Sequence, residues 1–254
     1  MKNILLALAF SSVSILVGGC GGGGGGGSGS STPAPVTTAE GMWTGTTSTS
    51  RTVNGFVLDD GTYWVLYSVA NNSNIIAGGV QGSSTSNNGN FTSANARDFN
   101  LEGLGILTAT ISGTYFVKQS LNGLINYPTL SQNVTFTSTY NASYDTTPSL
   151  ASLAGVYTGS SAVVGGTETA TLTITAGGGI TGSGVSGCQF SGTATPRSKG
   201  NVFNISITFG GGVCSNGTNT VTGIGYYDST LKRLWGASLN AARDNGFIFV
   251  GTKP

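Results

Sequence analysis

The sequence contains no histidine among its 254 residues. This absence excludes Ser-His-Asp and Cys-His catalysis and removes the most common protein ligand of transition metals. Charge is also scarce, because Asp, Glu, Lys and Arg make up 7% of the chain, against about 25% in typical globular proteins. Ten basic and nine acidic side chains form no basic patch for nucleic acid. We therefore predict no enzyme, no cofactor or metal, and no nucleic-acid partner.

Carboxylates are too few and too scattered to indicate a catalytic site. The adjacent pair Asp59-Asp60 is followed by Gly61 and lies between two strand-like runs. A calcium site or an acid–base role is one interpretation of this pair. Asp-Gly also supplies the positive φ angle of a tight hairpin, and we predict a turn. Arg97-Asp98 and Arg243-Asp244 are predicted to orient loops.

The N-terminus carries a short apolar segment of the kind that directs export. Lys2 precedes the apolar run 4–10, and small residues lead to Cys20. The segment is too short to be a spanning helix. Val17, Gly19 and Cys20 resemble the lipobox of bacterial lipoproteins.

This resemblance implies that residues 1–19 are a signal peptide, that cleavage precedes Cys20, and that the Cys20 thiol is lipidated. An ordinary secretory peptide that leaves a free thiol is the alternative. Gly21 stands where lipoproteins retained in the inner membrane usually have Asp, so the resemblance implies the outer membrane, on either face. Two or more acyl chains give stable anchoring, where a single chain is marginal.

Residues 20–39 are predicted to be a flexible linker. Seven consecutive glycines follow Cys20, and Ser, Thr and Pro make up most of the remainder. A chain of this length and composition has a typical reach of about 25 Å. The linker would hold a folded body close to the membrane without fixing it there.

The cysteine count agrees with export. If Cys20 carries lipid, Cys188 and Cys214 remain as a pair, and outside the cytoplasm such a pair is usually oxidised. We predict a structural disulfide between them. A redox-active pair is the alternative, although the spacing does not resemble Cys-x-x-Cys.

Period-two alternation dominates the chain after residue 40. In 168–175 and 202–209, apolar side chains alternate with Thr, Asn and Ser, which is typical of half-buried strands. The sequence allows one helical turn at Leu150–Leu153 and one at Leu239–Arg243. Dipeptides typical of tight turns are predicted to separate the strands. They are Asn54-Gly55, Asp60-Gly61, Asn88-Gly89, Asn122-Gly123, Asn216-Gly217 and Asn245-Gly246.

Three blocks occur twice in the same order, which indicates an internal duplication. Residues 41–47 match 155–161, and this match aligns Trp43 with Tyr157. Residues 108–115 match 220–227, and 120–125 match 230–235. We predict an all-β fold of two tandem antiparallel up-and-down barrels or sandwiches, at 40–145 and 150–254, with one larger barrel as the alternative. In architecture the body resembles the small β-barrels of bacterial surface lipoproteins.

Tryptophan and tyrosine are the candidate ligand contacts. Trp43, Trp64 and Trp235, with several tyrosines, could line a cavity, but aromatic side chains also fill small barrels, and we predict mostly core positions. The sequence thus predicts a lipid-anchored envelope protein that binds a small molecule, a glycan or a protein. The alternative is a structural or accessory component of an outer-membrane or surface assembly.

Overall fold

The computed structural model describes residues 37–163 and 165–254. The predicted signal peptide at 1–19, the predicted lipidation site Cys20 and most of the linker lie outside these residues. The described chain is all-β and contains two closed antiparallel barrels. This confirms the prediction of tandem barrels and excludes one larger barrel.

The first barrel follows the chain as an up-and-down meander. Its strands are β1 (Gly41–Thr47), β2 (Thr52–Val57), β3 (Thr62–Val69), β4 (Asn72–Ser83), β5 (Thr85–Asn87), β6 (Asn90–Asn100), β7 (Gly105–Phe116), β8 (Ser120–Tyr127) and β9 (Gln132–Tyr140). Pairing between β1 and β9, and between β4 and β6, closes the barrel. The short strand β5 pairs with β6 and extends β4 beyond a break at Ser84.

The second barrel repeats this meander with eight strands. They are β10 (Gly155–Val163), β11 (Gly166–Ile174), β12 (Gly179–Gly184), β13 (Gln189–Pro196), β14 (Phe203–Phe209), β15 (Thr220–Asp228), β16 (Arg233–Leu239) and β17 (Gly246–Thr252). β10 pairs with β17 and closes the barrel. The inward residues Ala170, Leu172 and Ile174 are buried, as their alternation predicts.

A connector of little regular structure joins the barrels. It contains a 3-10 turn at Ala142–Asp145 and the single-turn helix α1 (Leu150–Leu153), whose N-cap Ser149 accepts a hydrogen bond from Ser152 N–H. The predicted helical turn at Leu150–Leu153 is therefore confirmed. The one around Leu239–Arg243 is wrong, because Leu239 ends β16 and a tight turn follows. Within 37–163 and 165–254, no helix is long and apolar enough to cross a membrane.

The duplication is visible in matched contacts at the start of each barrel. Trp43 donates its indole N–H to the Ala39 carbonyl, and Tyr157 donates its hydroxyl to the Leu153 carbonyl. Both bonds span four residues and join buried groups. Gly45 and Gly159 are also equivalent, because at each a Cβ would collide with the backbone of the closing strand.

The two barrels lie side by side, with their equivalent ends on the same side of the molecule. We call the end that holds Thr37, where the described chain begins, the base, and the opposite end the distal end. At the base, Arg197 of the second barrel donates to Asp59 of the first over 2.6 Å. At the distal end, the β6–β7 turn and the β10–β11 turn border one cleft. An apolar seam fills the space between the barrels.

Candidate functional site

The distal half of the first barrel contains a cavity of about 120 Å³. A water molecule needs roughly 10–15 Å³ of cavity volume, so the space suits several waters or a small ligand. The walls are apolar side chains from several strands. These are Val53, Val65, Val80, Leu107, Ile125 and Val134. Polar side chains form a ring above them, which we call the collar. These are Thr47, Thr49, Arg51, Tyr67, Asp98, Asn100, Tyr127 and Gln132.

Asp98 is the central group of the collar. Its side chain points inward from β6, and the residue is only 3% exposed. Tyr67 donates its hydroxyl to one carboxylate oxygen over 2.7 Å, and Tyr127 donates to the other over 2.8 Å. An ionised carboxylate offers about four acceptor positions, so further hydrogen bonds can form on the cavity side. The collar thus presents a fixed acceptor above an apolar chamber.

Burial sets the electrostatics of this acceptor. Desolvation raises the pKa of Asp98 above its ordinary value, although the hydroxyls of Tyr67 and Tyr127 and the charge of Arg51 all favour the ionised form. The pKa values of both tyrosines are also raised, first by burial and then by the neighbouring carboxylate. Both tyrosines are therefore neutral donors over the whole physiological pH range.

Arg51 forms the edge of the collar and is itself held in place. It donates to the Ser68 carbonyl over 2.9 Å and to Glu102 over 2.6 Å, and its guanidinium lies over the Tyr67 ring. These contacts join the β1–β2, β3–β4 and β6–β7 ends around the opening. The exposed side chains of Leu104 and Leu130 lie beside it.

A glycine makes the position of Tyr67 possible. A Cβ on Gly78 would lie 2.2 Å from the Tyr67 hydroxyl oxygen, which is too close for any side chain. Gly78 on β4 therefore lets the Tyr67 ring lie across the barrel and reach Asp98. The hydrogen-bonded set thus depends on a residue that carries no functional group.

The second barrel has no comparable chamber among its described residues. Its interior is filled by aliphatic and aromatic side chains. The buried rings are Tyr157, Phe190, Phe203, Phe209, Tyr227, Phe247 and Phe249. Edge-on or tilted ring contacts join Tyr157 to Tyr227 and connect Phe190, Phe209 and Phe247 with one another. A void of about 30 Å³ lies among the side chains of this interior.

The tryptophans and tyrosines divide between barrel interiors and the seam. Trp43 packs inside the first barrel, where the sequence predicts a core residue. Trp64 and Trp235 instead lie on outer walls, in the apolar seam between the barrels. Tyr226 stacks on Trp235 with ring centroids 5.4 Å apart and contacts Phe56 of the first barrel. Trp64, Trp235 and Tyr226 face the neighbouring barrel and do not line the cavity.

The charged pairs singled out in the sequence have different roles in the structure. Asp59-Asp60 lies in the predicted hairpin turn, and Asp59 also accepts from Arg197 across the seam. Burial alone would raise the pKa of Asp59, but the Arg197 guanidinium outweighs it and holds the pKa below its ordinary value.

Arg97-Asp98 is not in a loop, as the sequence suggested, but in β6, where Asp98 reaches the cavity. A bulge between Ser93 and Ala96 shifts the alternation of this strand. Because of this shift, simple alternation along the strand does not predict that Asp98 points inward. Arg243 follows β16 in a turn and donates to the carbonyls of Gln81 and Asn95 in the first barrel, so it joins the two barrels.

Cys188 and Cys214 form a disulfide, as the sequence predicts. It connects the β12–β13 turn with the loop between β14 and β15, both at the distal end of the second barrel. Asn216 of the same loop is buried and donates to the Gly246 carbonyl over 3.1 Å. These contacts hold the loop over the filled interior. No cluster of three or more His, Cys, Asp or Glu side chains suited to a metal ion occurs in the part of the chain that the structure describes.

No family model matches the sequence, and no curated protein matches it. Among solved structures, the chain is similar to a provisionally assigned outer membrane protein from Bacteroides fragilis, with 16% identity and a TM-score of 0.26 over 85% of this chain and 96% of that one. It is also similar to a mutant of Transferrin Binding Protein B, a vaccine antigen from Haemophilus parasuis, with 13% identity and a TM-score of 0.31. That match covers 81% of this chain and 51% of the other, so this chain spans about half its length. At these TM-scores and identities, neither similarity assigns a function to this chain.

Proposed function

We propose that this chain is a lipid-anchored protein of the outer membrane whose first barrel binds a small molecule in its distal cavity. The observation that carries the binding proposal is the difference between the barrels. Both share one topology, but one is filled and the other keeps a chamber of about 120 Å³ below a buried carboxylate. A purely structural pair of barrels would gain stability from filling both.

The lining defines the chemical class of the ligand. Valine, leucine and isoleucine side chains surround the chamber and favour an apolar body. The carboxylate of Asp98 favours a cationic or hydrogen-bond-donating end group at the collar. We therefore propose a small amphipathic molecule, inserted with its apolar part first.

The ligand proposal is tested with two probes of nearly equal shape, toluene and benzylamine. Engineered apolar cavities of about 150 Å³ bind benzene, so a single ring is a suitable size. A ligand that binds only the folded protein raises its Tm, and we expect a larger rise with benzylamine because its ammonium group can reach Asp98. The measurement is thermal unfolding over a series of probe concentrations.

Three variants distinguish probe binding in the cavity from probe binding elsewhere on the protein. Val80→Phe should fill the chamber and abolish both shifts, whereas Val156→Phe, on the outer wall of the second barrel, should keep them. Asp98→Asn should retain the toluene shift and lose the preference for benzylamine. An unchanged benzylamine shift in Val80→Phe would show that the probe binds elsewhere.

The anchoring proposal is supported by the lipobox-like residues that end at Cys20 and by the glycine-rich linker behind it. We expect the full chain to fractionate with outer membranes and Cys20→Ala to lose that association. A Cys20→Ala protein that stays in the membrane fraction after high-salt washing would contradict anchoring by lipid.

A structural or partner-docking role is the second candidate, and the second barrel favours it. Its interior is filled, and its distal loops are fixed by the disulfide Cys188–Cys214. A rigid barrel of this kind can present loops to another protein of the envelope. This role and ligand binding by the first barrel are compatible.

A further inference from the structure

The lysines of the described chain are all at the base. They are Lys118, Lys199, Lys232 and Lys253. Lys118 lies in the β7–β8 turn, Lys232 lies in the β15–β16 turn, and Lys199 lies in the loop between β13 and β14. The backbone N–H of Lys253 donates to the Lys232 carbonyl, so it lies beside the β15–β16 turn.

Two base turns combine a lysine with an exposed apolar side chain. Phe116 is 67% exposed and lies two residues before Lys118, and Leu231 is 59% exposed and directly precedes Lys232. In both turns the lysine adopts a left-handed backbone, with φ of 53° at Lys118 and 50° at Lys232. The two turns follow equivalent strands, β7 and β15, so each barrel contributes one such tip.

The carboxylates at the base are largely engaged by other groups. Asp145 pairs with Lys118 over 2.7 Å, and Asp59 pairs with Arg197. Asp228 accepts the backbone N–H groups of its own turn. Among the described residues, no carboxylate lies within ion-pair distance of Lys199 or Lys232. Two lysines at the base are therefore free to meet an anionic surface.

The N-terminal segment that precedes the first barrel joins it at the base. Tyr115 donates its hydroxyl to the Thr37 carbonyl, which places the start of the described chain beside the β7–β8 turn that carries Phe116. If residues 20–36 form the flexible linker that the sequence predicts, their typical reach would be about 20–25 Å. A lipid on Cys20 would keep the base within that distance of the membrane.

We propose that the base is a second membrane contact, in which Phe116 and Leu231 insert into the interface and Lys199 and Lys232 meet anionic phospholipid headgroups. Apolar tips beside basic residues are typical of surfaces that bind membranes peripherally. This inference rests on the proposed anchoring, because one lipid-tethered end must already be near the bilayer. The distal cavity would then open away from the membrane.

Exposed apolar residues alone do not distinguish the base from the distal end. Val185, at 77% exposure, lies in the β12–β13 turn at the distal end, and Val213 is exposed in the neighbouring loop. No lysine of 37–163 or 165–254 accompanies them. Val185 is therefore the matched control position.

The test uses the full chain, as a bacterial host exports and processes it, mixed with vesicles of phosphatidylethanolamine and phosphatidylglycerol at about three to one. Phe116→Trp, Leu231→Trp and Val185→Trp are compared for quenching by brominated phospholipids, with the native tryptophans as the common background. We expect at least about twofold stronger quenching of the new fluorophore at 116 and 231 than at 185. Adding Lys199→Gln and Lys232→Gln to Phe116→Trp should reduce its quenching.

Three outcomes would contradict the inference in whole or in part, and they are distinguishable. If the protein floats with the vesicles but all three positions are quenched equally, the base makes no specific contact while the lipid anchor stands. If the protein does not float at all, both the anchor and the membrane contact are wrong. Retained quenching after both lysines are replaced would contradict the headgroup contact.

Discussion

Asp98 is the one fully buried carboxyl group among the described residues, and it makes the stability of the first barrel depend on pH. Its pKa is raised in the folded state, mainly by desolvation. Folding therefore favours the protonated form, and the group's favourable contribution is complete below its unfolded-state pKa. That contribution is lost as pH rises through the higher folded-state pKa.

Asp98→Asn removes this titration while keeping the shape of the side chain. We expect the wild type to lose free energy of unfolding relative to Asp98→Asn as pH rises from acid to neutral. The measurement is denaturant unfolding of both proteins at a series of pH values. Asp145, an exposed carboxyl paired with Lys118, has a lowered pKa, so Asp145→Asn should give the opposite sign. Parallel pH curves for wild type and Asp98→Asn would refute the burial argument.

At the scale of elements, the loop between β14 and β15 depends on the disulfide. It begins with Gly210, Gly211 and Gly212, which restrict the unfolded chain little, and it crosses the end of the second barrel. The bridge between Cys188 and Cys214 closes a loop with a separation of 26 residues. By the chain-entropy estimate such a closure contributes about 3.5 kcal/mol.

We expect Cys188→Ser with Cys214→Ser to lower the free energy of unfolding by about 3.5 kcal/mol, measured by denaturant unfolding. Wild-type protein in reductant should show the same loss, because it lacks the same bridge. Alkylation of the native protein without reductant should label neither cysteine. Labelling of both under those conditions would show that the bridge does not form.

Strands were predictable from the sequence because alternation follows from burial of one face, as Ala170, Leu172 and Ile174 show. Turns were less predictable. Asn54-Gly55 and Asn122-Gly123 resemble hairpin turns but lie inside β2 and β8. At Gly123 a Cβ would collide with the Ser112 carbonyl and the Phe136 ring, so this glycine permits close strand approach. A glycine required for packing and one required for a turn look the same in a sequence.

The third repeat block was matched out of register for a related reason. Sequence similarity aligns Leu121 with Leu231, but the strand partners show that Leu121 corresponds to Leu234. Leu121 pairs with Tyr115, and Leu234 pairs with Tyr227. The turn between β15 and β16 is one residue longer than the turn between β7 and β8, and it contains the exposed Leu231. The sequence gives no indication of the collar, because its members come from distant strands and meet only in the closed barrel.

At the scale of the whole molecule, the two barrels pack against each other along the seam. Its apolar residues come from the outer walls of both barrels and from the connector. They are Met42, Phe56, Leu58, Tyr144, Val202, Ile224 and Tyr226, with Trp64 and Trp235 at the margin. Polar contacts flank this cluster at Asp59–Arg197 and at Arg243. Because the seam buries large aromatic rings, we expect the barrels to unfold together.

Tyr226→Ala tests this coupling, since Tyr226 lies on the outer wall of β15 and its ring does not enter the second barrel. Loss of a buried aromatic ring costs about 3–5 kcal/mol, here taken from contacts with Phe56 and Trp235. Calorimetry of the wild type should show a single transition whose calorimetric and van't Hoff enthalpies agree. Tyr226→Ala should separate it into two, because each barrel keeps its own core. Tyr226→Phe keeps the ring and loses only the contact with the Ser143 hydroxyl, so it should retain the single transition. Two transitions in the wild type itself would mean that the seam does not couple the unfolding of the two barrels.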